Sequence, residues 1–506
     1  MITAGDFKRL VNKNIKKSSK KLIIPVFKEI TLDTETPISL FLKLSVGQKF
    51  AYLLESAETN VRWGRYSFIS FLPYIIFLSK TNRIEVKFKD KVFYYKDDPF
   101  DKIRHLLNNF YLPKEIFSKN DIPKFAGGFV GYIGYENVHL IEPKVEKPLK
   151  DEFEDIPDIY LTFNKQLLVF DHYLNKLKII NLVIVEKNSS LDEIYNSAIE
   201  EIEETERVIR TTISLPEELK FNFKNSFDFK EFDSNISKER FIEIVKKAKK
   251  YIYNGDIIQV VVSRRLYKVT SAEPFEIYRS LRVINPSAYM FYLKFDKLIL
   301  IGSSPEILVR KQLDTVETRP IAGTRPRGET EEEDNFYEKE LINSEKENAE
   351  HIMLVDLARN DIGRISEEGS VKIPSFKTIE KFSHVMHIVS TVKGKIKKNI
   401  DAIDVLKACF PAGTVSGAPK VRAMQIISEL ENETRGPYAG AVGYFSLTGD
   451  MDMAITIRTI VYLNKKVYIQ TGAGIVADSS AYKEYQETLN KAKALLLAVK
   501  IAELNK

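Results

Sequence analysis

The chain has 506 residues, 44% of them hydrophobic and 29% charged, ordinary globular usage that excludes a disordered, collagenous or fibrous chain. That length exceeds what one core usually supports, so two structural units are expected. Seventy-six Lys and Arg against 70 Asp and Glu leave only +6, too little to announce a nucleic-acid partner, and the single cysteine, Cys409, excludes a disulfide framework or a multi-thiolate zinc site.

Residues 1–24 carry Lys13, Lys16, Lys17, Lys20 and Lys21 with no apolar run behind them, which predicts a solvated basic arm rather than a targeting signal. Phe50 to Leu54 reads as a buried strand and Glu85 to Lys96 as an exposed hairpin. The glycines of Phe125 to Gly134 are not spaced as a dinucleotide fingerprint, so they predict close backbone packing in a strand. Asn188 to Thr211 predicts an acidic helix. The polar, aperiodic Pro216 to Ser234 is the expected boundary between a first unit, 25–215, and a second, 235–500. Ser237 should cap a helix that Asn254-Gly255 ends, and strands are expected at Ile257–Val269, Ser287–Phe295, Leu298–Gly302, Ile307–Lys311 and Thr315–Thr318. Glu338 to Asn360 predicts one long helix and Ala402 to Ala408 a short one. Tyr438–Leu447, Met453–Leu463 and Val467–Thr471 predict a closing antiparallel set, and Ser480 to Leu504 a terminal helix. Strand runs and helix runs are segregated, so the fold class expected is α+β. The longest apolar runs are strand-length, well short of the ~18 residues a membrane helix needs, which predicts a soluble, cytoplasmic protein with no membrane partner.

Two carboxylate pairs stand out. Glu347 and Glu350 lie three apart on the predicted helix, and Glu484 and Glu487 repeat that spacing on the last one, so each pair projects from one helix face. Alone, such a pair is a solvated face; two pairs sharing a cavity would make an oxygen-rich Mg2+ site. Periodicity leaves open whether they meet. Gly323–Gly328, Gly413–Ala418 and Gly472–Gly474 offer backbone N–H donors of the kind that bind carboxylate or phosphate. Arg458, among apolar strand residues, needs a carboxylate partner from protein or ligand. His384 and His387 match no metal-binding spacing.

The motifs Arg319-Pro-Ile-Ala-Gly-Thr-Arg-Pro-Arg-Gly328, Leu354-Val-Asp-Leu-Ala-Arg-Asn-Asp361, Pro411-Ala-Gly-Thr-Val-Ser-Gly-Ala-Pro-Lys420 and Gln470-Thr-Gly-Ala-Gly474 resemble the chorismate-utilising enzyme family, in its anthranilate synthase component I branch. The resemblance implies two mixed β-sheets forming a sandwich wrapped by helices. It implies that Glu350 and Glu487 hold Mg2+, with Glu347 and Glu484 supporting them through water. Tyr438, Arg458, Gly472, Ala473 and Gly474 would bind the enolpyruvyl carboxylate of chorismate, and Gly323, Thr324 and Thr414 would line its ring. Glu306 would protonate the departing C4 hydroxyl, and His387 would assist the later loss of a proton and pyruvate. Water-using relatives carry lysine where this chain has Gln259, and the aminodeoxychorismate branch typically has lysine where Ala322 stands; a neutral amide cannot deprotonate water, so ammonia is the nucleophile implied and anthranilate the product.

The resemblance also implies a separate glutamine amidotransferase subunit in a heterotetramer, because Cys409 lies in no nucleophile elbow. A feedback site for L-tryptophan is implied at Ser56, Pro286, Ser287 and Ala288. The alternatives are aminodeoxychorismate synthase component I, or a non-catalytic tryptophan- or nucleic-acid-binding protein.

Overall fold

Apolar segments of strand length recur through both halves of the chain, and their backbone groups must find partners. The computed structural model describes every residue except 1, 57–63, 114–115, 117–122, 124, 149, 151–152, 187, 213–230, 383–384 and 506. His384 and residues 216–230 of the expected boundary therefore lie outside the described residues. Among the described residues the strands form two sheets, of 13 and 12 strands. Helices cover them: Leu191–Arg210 lies on Lys176–Val185, and Ala481–Leu504 packs on Lys466–Ile475 and against Pro274–Ile284. The class is α+β, as expected. Named strands pair antiparallel except Lys21–Thr31 beside Phe110–Tyr111, which mixes the first sheet.

Each sheet is sewn from both halves. In the first, Phe50–Glu55 pairs with Tyr289–Phe295, placing Leu54 opposite Phe291. In the second, Gly128–Ile133 pairs with Ala441–Ser446, placing Gly131 opposite Gly443. The segments 25–215 and 235–500 thus share both sheets and one main core; an unpaired sheet edge in either half is a liability that pairing with the other removes. At Gly131 a Cβ would lie 1.9 Å from the Tyr160 carbonyl oxygen, so this glycine does serve close strand packing.

Three expectations change. Residues 1–24 are not a solvated arm: Ala4–Asn14 is a helix capped by Thr3, and it buries Phe7 and Val11. That i,i+4 apolar pair is a short helical stripe that the surrounding lysines obscure. The long helix predicted over Glu338–Asn360 is two, Glu331–Asn343 and Glu345–Ile365, broken at Ser344, whose Oγ accepts the Glu347 N–H. The strand predicted over Met453–Leu463 is also two. Met451–Ile455 belongs to the second sheet and Thr459–Leu463 to the first, and the chain crosses between them at Arg458, whose φ is +50°.

Candidate active site

Glu347 and Glu484 occupy the first turns of their helices, where a negative charge is favoured by the helix dipole, and Glu350 and Glu487 lie one turn further on. Glu347 and Glu350 follow Ser344; Glu484 and Glu487 follow Ser480. The two pairs come within electrostatic reach of each other, the Glu487 charge acting on Glu350. Burial pushes the Glu350 carboxyl up, a hydrogen bond from Gln259 opposes this, and the charges of Glu347 and Glu487 add to the upward push. Glu484 is likewise pushed up by burial first, against a Ser479 hydrogen bond, and further by Glu487. Gln259 Nε2 donates to Glu350 Oε1 at 3.2 Å, while its Oε1 is buried without a partner. Among the described residues no three His, Cys, Asp or Glu side chains are gathered closely enough to cage a metal by themselves. A divalent oxygen-seeking ion that keeps several waters needs only one or two of them. Carboxylates that repel one another, with an unsatisfied amide oxygen beside them, fit such an ion.

Glu306 follows the strand Leu298–Ser304, and its own carbonyl accepts the Ile455 N–H at 3.0 Å. The residue is 8% exposed. Thr414 Oγ1, in the short turn Gly413–Ser416, donates to Glu306 Oε1 at 3.0 Å. Burial pushes this carboxyl up to about 8, with the Thr414 hydrogen bond and the Lys491 charge pulling the other way. Such a group still holds its proton at neutral pH and can give it away. A void of about 40 Å³ behind it reaches Asp361 and Cys409; Asp361 is held by Lys420 at 2.6 Å, and burial pushes the Cys409 thiol up.

The residues expected to line the ring, Gly323 and Thr324, lie on a distorted strand pair. Ile321–Pro326 runs antiparallel to Val385–Lys395 with Thr324 opposite His387, and a register shift falls between Ala322 and Thr324. Gly323, at the shift, has φ +64°, and a Cβ there would lie 2.8 Å from Leu341 Cδ1. His387 Nδ1 is 2.9 Å from the Gly323 carbonyl and 3.1 Å from Thr324 Oγ1. The carbonyl assigns the proton to Nδ1 and leaves Nε2 as the basic nitrogen. Burial pulls the imidazole down, the Gly323 bond opposes it, and the Arg458 charge adds to the lowering, so the neutral ring prevails near pH 7.

Gly472, Ala473 and Gly474 pair with Ser263, Val262 and Val261. A Cβ at Gly472 would stand 2.7 Å from Tyr438 Oη, and one at Gly474 2.7 Å from Gln259 Nε2, so the two glycines bring the backbone against the tyrosine and the amide. Arg458 donates from Nη1 to the Lys491 carbonyl at 2.7 Å. No carboxylate among the described residues lies within ion-pair distance of it, and burial pulls its pKa down against the influence of Tyr438 and Glu487. Its missing partner is therefore expected in a ligand.

Lys491 was not singled out by the sequence. Its Nζ lies 2.6 Å from Glu487 Oε1 and donates to the Gly472 carbonyl at 3.0 Å. Its position four residues after Glu487 on one helix is the signal that would have found it.

Residues 52–497 match the chorismate binding enzyme family. Anthranilate synthase component 1 of Aquifex aeolicus is 50% identical over 486 residues, covering 95% of each chain. The chain belongs to the chorismate binding enzyme family. The crystal structure of anthranilate synthase component I from Streptococcus pneumoniae superposes with a TM-score of 0.72 at 38% identity, over 86% of this chain and 92% of that one. The menaquinone-specific isochorismate synthase of Escherichia coli, at 19% identity, shares the fold with a TM-score of 0.70 over 97% and 98% of the two chains.

In this member of the chorismate binding family a second, larger cavity of about 660 Å³ lies where the two sewn strand pairs approach each other. Ser56, Ala288, Met290, Tyr444 and Asp452 are among its walls, whereas Pro286 and Ser287 are not. Tyr444 and Asp452, which the sequence did not single out, come from the paired strands Ala441–Ser446 and Met451–Ile455. Tyr444 stacks on Phe125 with ring centroids 4.1 Å apart, and Asp452 is fixed by Arg310 Nε at 2.8 Å and Tyr289 Oη at 3.0 Å. The far end of the cavity touches Ile321 and Phe382. Ile321 begins the strand of Gly323 and Thr324, and Phe382 meets the His387 ring edge-on at 5.5 Å.

Proposed function

We propose that this chain combines chorismate with ammonia and releases pyruvate and anthranilate, as the chorismate-binding component of a two-component anthranilate synthase in tryptophan biosynthesis. The observation that carries the reading is the buried Glu306 carboxyl, pushed up to about 8 and oriented by Thr414. It supplies an acid at neutral pH inside a cleft with no lysine at Gln259 or Ala322. The naming of the Aquifex aeolicus and Streptococcus pneumoniae relatives supports the same assignment.

Arg458 and Lys491 supply positive charge for a substrate carboxylate, with Tyr438 and the Gly472–Gly474 backbone beside them. Glu306 gives its proton to the C4 hydroxyl, which leaves as water while ammonia bonds to C2. The new C2 ammonium gives up a proton to become the amine; neutral His387 then accepts the C2 proton as the ring–oxygen bond breaks, and the enolpyruvate released takes up a proton at its methylene carbon to leave as pyruvate. Glu350 and Glu487 would hold Mg2+, with Glu347 and Glu484 behind them, and the ion would neutralise these carboxylates and take the ring carboxylate of chorismate.

A glutamine amidotransferase subunit is proposed as the ammonia source, completing a heterotetramer, because a buried thiol whose pKa is raised, such as that of Cys409, is a poor nucleophile. L-Tryptophan is proposed as the occupant of the larger cavity, held by Ser56, Ala288 and neighbours and acting as a feedback inhibitor. The cytoplasm is proposed as the location. No helix among the described residues is long and apolar enough to cross a membrane.

The test is the isolated chain with chorismate, Mg2+ and ammonium, followed by anthranilate fluorescence with and without EDTA and tryptophan. A metal-dependent rise that tryptophan suppresses is expected. A non-fluorescent amine that a lyase converts to p-aminobenzoate would overturn the reading in favour of an aminodeoxychorismate synthase.

A further inference from the structure

Arg435 lies outside every motif and role described above, yet it heads the large side chains that are wholly buried, at 1% exposure. Its Nε and Nη2 donate to both oxygens of Glu431, at 2.8 and 2.6 Å. Glu431 Oε1 also accepts the Ser263 N–H at 2.6 Å. A buried ion pair of that kind would be complete in itself. The guanidinium goes further: Nη1 donates to the Val415 carbonyl and Nη2 to the Val261 carbonyl, each at 2.8 Å. Val415 follows Thr414, the hydroxyl donor to Glu306. Val261 is paired with Gly474. The Arg435 backbone is itself pinned, its N–H donating to Glu136 Oε1 at 2.6 Å. The planar fork of arginine can serve one carboxylate and two carbonyls at once, and a lysine ammonium on a flexible stem cannot reproduce that geometry.

We propose that Arg435 is a positioning residue that sets the Gly413–Ser416 turn so that the Thr414 hydroxyl meets the Glu306 carboxyl. The inference rests on the reading of Glu306 as the proton donor. The groups that face Glu306 are Thr414 from the turn, Lys491 from the terminal helix and, across the small void, Asp361 paired with Lys420. Of these, only Thr414 adjoins a residue that Arg435 holds. The Thr414 bond favours the ionised carboxyl, so loosening the turn should leave Glu306 protonated to higher pH and misdirected toward the substrate.

The experiment compares wild type, Arg435→Lys, Thr414→Val and the double variant in the full chain. Two quantities are read: kcat and KM for chorismate, and the protonation midpoint of Glu306 by difference infrared spectroscopy, its band assigned by loss in Glu306→Gln. Arg435→Lys is expected to lower kcat about tenfold or more and to raise the Glu306 midpoint; KM can move with it, because Arg435 also holds Val261 opposite Gly474 and lies 5.6 Å from the Tyr438 ring. The double variant should be no slower than Thr414→Val alone, as expected for residues acting in series. An unmoved midpoint in Arg435→Lys, or losses that multiply in the double variant, would overturn the inference and leave Arg435 a structural ion pair. If the lysine variant does not fold, Arg435→Gln is read by the same two criteria. Because the midpoint is measured without turnover, a wild-type chain that makes no anthranilate would refute the functional reading separately.

Discussion

Replacing Glu306 by glutamine keeps the shape of the side chain and removes its ionisation. In the unfolded chain this carboxyl ionises near its ordinary 4.5, and in the fold near 8. Between those two values the folded protein holds a proton that the unfolded chain has released. Stability contributed at this position is therefore largest below pH 4.5, falls as pH rises, and levels off above about 8. Each pH unit in that window is worth about 1.4 kcal/mol, so keeping the proton at pH 7 costs roughly 3 kcal/mol. Glutamine has no such slope. For a chain of this length the entropy of unfolding makes 1 kcal/mol worth only about 1 °C in melting temperature. The melting point of Glu306→Gln should accordingly rise relative to wild type by about 3 °C more at pH 7 than at pH 4.5. Subtracting the two profiles cancels other raised carboxyls such as Glu136 and Glu350. The same variant should lose anthranilate formation by at least about 100-fold. In wild type the rate per free ammonia should fall as pH rises through about 8. Parallel melting profiles for the two proteins from pH 5 to 8 would show that Glu306 is an ordinary ionised carboxylate, and the acid role would fall with them.

Glu350→Gln and Glu487→Gln should each reduce turnover by two orders of magnitude or more, on the order expected for loss of a metal-holding or charge-stabilising group, while the fold and tryptophan binding stay intact; Mg2+ titration calorimetry would show the lost site, and undiminished Mg2+ affinity in either variant would remove that residue from it. Arg458→Lys keeps the charge but loses the planar fork, and should raise KM for chorismate by roughly 100-fold with a smaller change in kcat, measured by steady-state kinetics. Tyr444→Ala strips one aromatic wall from the larger cavity and should raise the tryptophan concentration for half-inhibition about tenfold or more without altering uninhibited kcat; unchanged inhibition would place the feedback site elsewhere.

Part of the candidate site's layout was legible because it depends on short-range geometry. The three-residue spacing of Glu347 with Glu350, and of Glu484 with Glu487, is a property of any helix, whereas Gly472–Gly474, expected as a backbone-donor loop, lies inside the paired strand Lys466–Ile475. A lone arginine in an apolar stretch announced Arg458 as a residue in need of a partner. The same local reasoning misjudged places where one atom changes the path. Ser344 interrupts what periodicity read as one helix, and Arg458 proved to be a left-handed crossover between sheets rather than a strand residue. The apolar pair Phe7 and Val11, among many lysines, read as an arm until packing showed a helix.

What the sequence determined by itself is the periodicity, the capping and the chemical inventory, since these rest on contacts within a few residues. Only the tertiary structure decided that Glu487 acts electrostatically on Glu350, that Gln259 reaches Glu350, that Lys491 joins Glu487 to Gly472, and that Tyr444 and Asp452 share a cavity with Ser56. It also decided that the two halves of the chain are one sandwich rather than two units. Burial and through-space charge raise the Glu306 carboxyl and lower the His387 imidazole, and both depend on strands and helices brought together from distant parts of the chain, which no local pattern encodes.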